Sequence, residues 1–119
     1  MKPAVVLWQI VTPQAEASAN FYQSLFGWSA NQDNALGYRQ IASAGDRGID
    51  GGVWPAPPEA SSFVQLFIAV SDVAASIAAA EKLDASVVVP RTALPDGDAM
   101  AVLRDPTGVT FGLISSPSK

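Results

Sequence analysis

The side chains that could do chemistry in this sequence are few, because the 119 residues include neither histidine nor cysteine. Histidine is the commonest general base at neutral pH and the commonest transition-metal ligand, and cysteine supplies thiolate chemistry. A metal site here would use oxygen ligands alone, which favours magnesium, calcium or manganese over zinc or nickel. No Ser, Thr or Lys stands in a recognisable nucleophile setting.

Two groups of acidic residues and one mixed segment are the next candidates. Asp96 and Asp98 resemble paired catalytic carboxylates, but Pro-Asp-Gly-Asp is first of all a turn sequence. Residues 38–40 combine a phenol, a guanidinium group and an amide, and residues 46–50 carry two acids and an arginine. For both segments, ligand binding and an ordinary strand or loop stay open as alternatives.

Composition and charge exclude several functions. Apolar residues make up 49% of the chain and charged residues 15%, which is typical of one globular domain. The net charge is −4 and no basic run exists, so we expect no nucleic-acid partner. The N-terminal apolar stretch is too short for a membrane span and lacks a signal-peptide cleavage pattern. We therefore expect a cytoplasmic protein without a membrane partner.

The first half reads as strand, helix and three strands. Residues 4–11 form an apolar strand, and Thr12 is predicted to cap a helix over residues 14–26. Four large side chains at i, i+1, i+4 and i+5 predict an apolar helix face that packs on a sheet, namely Phe21, Tyr22, Leu25 and Phe26. Gly27 can take the left-handed conformation that ends helices. Strands follow at 28–31, 36–43 and 49–54.

The second half repeats this order after a Pro- and Ser-rich linker at residues 55–62. A strand at 63–70 leads to a helix capped by Asp72, then to strands at 86–89, 99–104 and 109–114. The sequence thus predicts an α+β fold of two βαβββ modules in tandem. We expect a single domain over 1–119, with module one at 4–54 and module two at 63–115.

Two motifs carry a resemblance to a known family. The stretch 21–28 (Phe-Tyr-x-x-Leu-Phe-Gly-Trp) and the turn 105–108 (Asp-Pro-x-Gly), placed in a duplicated βαβββ unit, resemble the vicinal oxygen chelate superfamily. That superfamily holds glyoxalase I, bleomycin-resistance proteins and extradiol dioxygenases. The resemblance implies a glyoxalase/bleomycin-resistance-like fold, in which a curved mixed sheet forms a cleft. It also implies a homodimer.

The resemblance further implies where metal ligands would stand. The four ligand positions of the family fall in this sequence on Leu7, Gly52, Gln65 and Gly112. Gln65 alone offers a ligand atom, and an amide oxygen is a weak ligand without charged partners. We therefore expect no bound metal and no cofactor.

The predicted cleft is lined by a few amides and hydroxyl groups in an apolar setting. Because strand side chains alternate, the ligand-binding candidates are Leu7, Gln9, Gln65, Phe67, Thr110 and Gly112, joined from other strands by Tyr38, Gln40 and Trp54. Such a pocket suits a neutral, planar organic molecule, and Gly112 is expected to leave room on its floor. In the alternative interpretation, Gln9 and Gln65 are buried amides hydrogen-bonded to each other. Trp8 and Trp28 are expected in the core or at an interface.

Three classes of function remain. The first is metal-free binding of a small molecule, such as a drug or metabolite. The second is a diverged enzyme of the same superfamily, either a lyase or isomerase using Gln, Tyr or Arg for polarisation, or a dioxygenase-like enzyme with oxygen-liganded metal. The third is an accessory module whose pocket is vestigial. The missing His and Glu at the ligand positions favour the first over the second.

Overall fold

The structure, a computed structural model, describes residues 2–31, 37–42, 45, 47–95 and 97–115. The chain divides into two compact units. The first unit runs from Leu7 to Gln65, and the second comprises the residues before Leu7 and those from Leu66 onwards. Asp46 and Asp96 lie outside the described residues, as do the predicted ends of the strand at 36–43.

The described elements follow the predicted order of strand, helix and three strands, used twice. They are β1 (Ala4–Thr12), α1 (Ala15–Phe26), β2 (Ala30–Asn31), β3 (Arg39–Ile41), β4 (Asp50–Pro55), β5 (Phe63–Ala69), α2 (Val73–Lys82), β6 (Ser86–Ala93), β7 (Ala99–Arg104) and β8 (Thr110–Ser115). Neither described helix has the length and hydropathy that crossing a membrane requires. The α+β class and the repeated unit predicted from the sequence are confirmed.

Strand pairing is mixed in each unit. The order is β2-β3-β4-β1 in the first and β5-β8-β7-β6 in the second. In both, the strand before the helix pairs in parallel with the last strand of the repeat, while the remaining pairs are antiparallel. A helical crossover is what a parallel pair requires, so the βαβββ order and the pairing agree.

Helix α1 packs on its sheet through small residues, and this differs from the prediction. Its buried residues are Ala15 and Ala19, which join Ile41 and Val53 in one core cluster. Three of the four large side chains of the predicted face are more than half exposed, namely Phe21, Leu25 and Phe26. Alanine allows the helix to approach the sheet closely, and the bulky side chains are then displaced to the helix flank. The predicted packing face is therefore wrong.

The bulky side chains of α1 instead gather around Trp28. The ring of Trp28 lies 5.1 Å from that of Phe26, 6.1 Å from that of Tyr22 and 5.7 Å from that of Trp8. Trp8 and Ile10 also pack against the core cluster below α1, so both point to the helix side of β1. The expectation that Trp8 and Trp28 lie in the core or at an interface is confirmed for the core.

The two helices begin differently. Asp72 caps α2, because its Oδ1 accepts the Ala75 backbone N–H at 3.0 Å, as predicted. Helix α1 is preceded by Gln14, whose side chain makes no capping bond. Thr12 is instead the last residue of β1, and its hydroxyl bonds to Ser62 Oγ at 2.8 Å and accepts the Gln14 N–H at 3.2 Å. The prediction that Thr12 is the N-cap of α1 is therefore wrong.

The second unit has its own core and a tight turn before its last strand. Val73 of α2 packs against Ala101, Leu103 and Leu113 of the sheet. In the turn, Asp105 Oδ1 accepts the backbone N–H groups of Thr107 and Val109 as well as the Thr107 hydroxyl. These bonds, the hydroxyl first, hold the pKa of Asp105 below its usual value. The Asp-Pro-x-Gly motif thus serves strand connection.

Candidate functional site

Two glutamines form the centre of a polar group on the first unit. Gln65 Nε2 donates to Gln9 Oε1 at 3.0 Å, and Gln65 is buried with 5% of its surface exposed. Gln9 follows Trp8 in β1, and Trp8 points to the helix side, so alternation directs Gln9 to the opposite face. The predicted bond between the two amides is present, and it lies on the face of β1 that the helix does not cover.

Tyr38 extends this group across β4. A Cβ atom on Gly52 would collide with the Tyr38 hydroxyl and ring, so the phenol occupies the space where a side chain of residue 52 would begin. On the helix side, a Cβ on Gly51 would collide with the indole of Trp8. The glycine pair inside β4 therefore admits one aromatic ring on each face of the strand. This is the close approach that glycine in a strand permits.

The Tyr38 phenol is half-buried and joined to the amides. Burial raises the pKa of Tyr38, a hydrogen bond with the Gln9 side chain lowers it, and the negative charge of Asp50 raises it. The polar network therefore runs from Gln65 to Gln9 through an amide–amide hydrogen bond, and from Gln9 to the Tyr38 phenol.

An aromatic surface borders this network. The rings of Tyr38 and Trp54 are tilted at 48° with their centroids 5.7 Å apart. Trp54, Gly52 and Asp50 alternate along β4, and Val53 between them joins the core below α1. The uncovered face thus combines two amides, a phenol, an indole and a carboxylate within one unit.

One polar atom of the network has no partner. Among the residues that the structure describes, Gln65 Oε1 is the buried side-chain atom that lacks any hydrogen bond. Most buried polar side-chain atoms in proteins are bonded, because an unpaired one destabilises the fold. Such an atom is typical of a place where a ligand or an ordered water completes the bonding.

The other predicted site residues lie outside the hydrogen-bonded network. Leu7 is half-buried in β1, in register with Asp50, and Gln40 is exposed on β3, in register with Gly52. Phe67, Thr110 and Gly112 lie in the second unit. Neither Leu7 nor Gln40 takes part in the hydrogen bonds of the network. The sequence therefore named two positions whose side chains this network does not use.

Gly112 does not leave the room that was expected. A Cβ atom at Gly112 would collide with the ring of Phe67, which is itself 2% exposed. The two residues are in register in the parallel pair β5–β8, and Thr110 stands half-buried at the start of β8. The space above Gly112 is thus filled by an aromatic side chain, and the predicted open floor is wrong.

Two surface hollows lie in the first unit, but none of the predicted site residues lines either. One, of about 190 Å³, has a polar rim that includes Glu16, Asn20, Gln23 and Arg39. The other, of about 270 Å³, borders Thr12, Ser62 and apolar neighbours. Both lie against α1, whereas the network is on the uncovered face. The candidate site is therefore defined by its hydrogen bonding and not by either hollow.

Comparison with protein families agrees with this architecture. A family model described as a glyoxalase-like domain matches residues 5–114. The chain belongs to the glyoxalase-like family. Its fold is accordingly that of the vicinal oxygen chelate superfamily, to which the two motifs pointed. No curated protein matches the sequence.

Solved structures share the fold at low sequence identity. A methylmalonyl-CoA epimerase in complex with methylmalonyl-CoA and NH4+ is 17% identical, with a TM-score of 0.67 over 99% of this chain and 97% of that one. A structure titled NAD-dependent benzaldehyde dehydrogenase from Legionella pneumophila is 16% identical, with a TM-score of 0.66 over 92% and 96%. A hypothetical protein from Bacillus halodurans is 10% identical, with a TM-score of 0.69 over 100% and 98%.

The residues at the family's metal-ligand positions do not fit a divalent cation. In the first unit these positions hold an alkyl side chain at Leu7, a glycine at 52 and a neutral amide at Gln65, whose nitrogen already bonds to Gln9. The space beside Gly52 belongs to the Tyr38 phenol. Among the described residues, no three His, Cys, Asp or Glu side chains form a group that could hold a metal. This donor set carries no negative charge.

Sequence reasoning missed two contributors to the site. Asp50 was noted only as part of an acidic segment, yet its charge acts on Tyr38. Gly51 was not among the predicted site residues, yet the indole of Trp8 occupies the space beside it on the helix side of the strand. The signal was present in the Gly-Gly pair, because two consecutive glycines in one strand permit close contacts on both faces.

Proposed function

We propose that this member of the glyoxalase-like family binds a small organic molecule without a metal ion, on the uncovered face of the first unit. The observation that carries the proposal is the hydrogen-bonded network from Gln65 through Gln9 to Tyr38, which stands where the family's metal ligands would be. Neutral amides and a phenol bond to each other without a cation. We also propose that the protein is cytoplasmic.

The chemistry of the face favours a neutral planar ligand. Tyr38 and Trp54 offer aromatic surface, and the amides offer hydrogen bonds. The nearby charge is the carboxylate of Asp50, and the whole chain carries a net charge of −4. An anionic ligand such as the coenzyme A ester bound by the epimerase neighbour would meet repulsion here. Uncharged aromatic compounds are therefore expected to bind more tightly than acyl-CoA esters.

Thermal-shift screening tests both parts of the proposal. Purified protein is screened against small neutral aromatic compounds, and separately against nickel, zinc, iron, magnesium and manganese salts. We expect stabilisation by some organic compounds and none by the metals, because a ligand stabilises only the state that binds it. Elemental analysis of the same preparation should find no stoichiometric metal.

A variant pair locates the site. Trp54→Ala should reduce the shift produced by each hit, whereas Trp28→Ala, on the helix side of the first unit, should lower the melting temperature without removing the ligand-induced increment. One metal per chain, lost on chelation together with ligand binding, would contradict the proposal. If the hits stabilise the Trp54→Ala protein as strongly as the unaltered protein, the ligand binds at a different site.

A lyase or isomerase activity is the second candidate, and one electrostatic effect favours it. The charge of Asp50 acts on the Tyr38 phenol, so the same face as the amides offers two groups that could exchange a proton with a substrate. Several similar structures are epimerases, at identities that show the fold alone. Deuterium uptake by methylmalonyl-CoA in heavy water, lost in Tyr38→Phe and kept in Tyr22→Phe, would favour this candidate.

The accessory-module hypothesis is the third. It predicts that neither organic compounds nor coenzyme A esters bind at the first unit, while the fold and any assembly with other copies remain intact. Failure of the whole compound screen, with the protein shown to be folded by its cooperative melting, would make this the better account of the polar network. The network would then serve only to satisfy buried groups.

A further inference from the structure

Gln65 presents an acceptor that the rest of the first unit leaves unused. Its side chain is buried with 5% exposure, its Nε2 donates to Gln9, and no described group donates to its Oε1. We infer that the ligand of this site carries an N–H or O–H donor, which Gln65 Oε1 accepts. This inference rests on the proposed function and names the chemical class that the site selects.

The direction of the bond between the two amides decides whether the unused group of Gln65 is a donor or an acceptor. Gln9 Oε1 accepts the Gln65 Nε2–H, so the oxygen of Gln9 faces the nitrogen of Gln65. Turning Gln65 alone would point its oxygen at the Gln9 oxygen, which is repulsive. Both amides would have to turn together, and the unused end would then be a donor. With the observed direction, the unused group of Gln65 is an acceptor.

A buried acceptor discriminates strongly between similar ligands. A compound with a donor restores the missing bond, whereas one that presents only an oxygen lone pair leaves Oε1 unpaired and adds repulsion. The Tyr38–Trp54 pair supplies aromatic surface on the same unit. Planar rings that carry N–H or O–H are therefore the expected class, including phenols, indoles and cyclic amides.

Matched bicyclic fragments test the inference on the full chain. Indole carries the donor, 1-methylindole blocks it with a methyl group, and benzofuran replaces it with a ring oxygen. Binding is followed by NMR of the side-chain amide groups in nitrogen-15-labelled protein, with the Gln65 signal assigned from Gln65→Met. We expect indole to bind about tenfold more tightly than benzofuran, as the loss of one buried hydrogen bond predicts.

Two variants separate the acceptor from general packing. Gln65→Met keeps a side chain of similar length without the acceptor and should remove the difference between indole and benzofuran. Gln14→Met, an identical change at an exposed position before α1, should retain it. If Gln65→Met does not fold, the Gln65 amide signal is assigned by through-bond NMR experiments, and the fragment comparison in unaltered protein still decides the question.

The outcomes distinguish this inference from the proposed function. Equal binding of indole and benzofuran, or unchanged discrimination in Gln65→Met, would overturn the inference and leave small-molecule binding in place. A crystal structure with bound indole and a water on Gln65 Oε1 would overturn it as well. No binding by any of the three fragments or by a broader panel of donor and acceptor rings would count against both.

Discussion

At the scale of single residues, the candidate site depends on the amide groups of Gln9 and Gln65. An amide carries both a donor and an acceptor, so two glutamines can satisfy one another without charge. Two carboxylate side chains at comparable positions would need a cation or a proton to balance their charge. The bond between these amides, at 3.0 Å, pairs two buried or half-buried side chains without any charge.

Replacing Tyr38 by phenylalanine should destabilise the protein modestly. The change removes the hydroxyl that bonds to Gln9 and leaves the Gln9 amide without that partner. We expect the free energy of unfolding to fall by about 1 kcal/mol in urea titrations, the usual size for one buried hydrogen bond. Tyr22→Phe, within the aromatic cluster of α1, is the matched control. Equal losses in both variants would contradict a special role for the Tyr38 hydroxyl.

The same phenol predicts a pH dependence at the alkaline end. Burial raises the pKa of Tyr38 in the folded state, so the unfolded chain ionises first as pH increases. The unfolded state then binds fewer protons, and stability falls as pH rises above about 10, the ordinary tyrosine value. Tyr38→Phe should lose less stability than the unaltered protein over this range. An identical alkaline slope in both proteins would refute this assignment.

At the scale of strands, Gly112 and Phe67 form a pair that a side chain at position 112 would disrupt. Gly112→Ala places a Cβ inside the Phe67 ring, within a buried part of the β5–β8 pair. Overpacking of this kind costs about 1–3 kcal/mol of unfolding free energy. Adding Phe67→Leu should recover part of that loss, so a double-mutant cycle by urea unfolding should show coupling. Additive effects would contradict the contact.

At the scale of helices, we expect alanine at the N-cap to destabilise α2 more than α1. Asp72→Ala removes the carboxylate that accepts the Ala75 N–H and should cost about 1 kcal/mol. Gln14→Ala, at the corresponding position of α1, removes no capping bond and should be close to neutral. Thermal unfolding of the two variants checks this. A larger loss from Gln14→Ala would mean that α1 is capped by its side chain after all.

For the whole molecule, we propose a two-fold symmetric homodimer. Phe21, Leu25 and Phe26 on α1 are more than half exposed, and exposed apolar patches commonly mark association surfaces. Light scattering at micromolar concentration should give twice the chain mass of 12.4 kDa. Leu25→Glu should shift the protein towards monomer if α1 takes part, and Leu83→Glu, at the end of α2, is the control. A monomer at all concentrations would overturn the proposal.

The sequence by itself determined the order of elements and the family. Alternating apolar strands, the left-handed Gly27, the Asp72 cap and the turn at 105–108 are local features, because each acts through neighbouring residues and its own backbone. The absence of charged side chains at the metal-ligand positions was equally readable, since it needs only the repeat and its register. The face of β1 to which Gln9 points was also predictable, because side chains alternate along a strand and Trp8 precedes Gln9.

The tertiary structure decided which side chains occupy the spaces between strands. The ring of Tyr38 over Gly52, the ring of Phe67 over Gly112 and the shift of the bulky α1 residues away from the sheet all depend on partners distant in sequence. A glycine signals that space exists but does not say what fills it. Helical periodicity likewise marks an apolar face, whereas the small size of Ala15 and Ala19 selects the face that approaches the sheet.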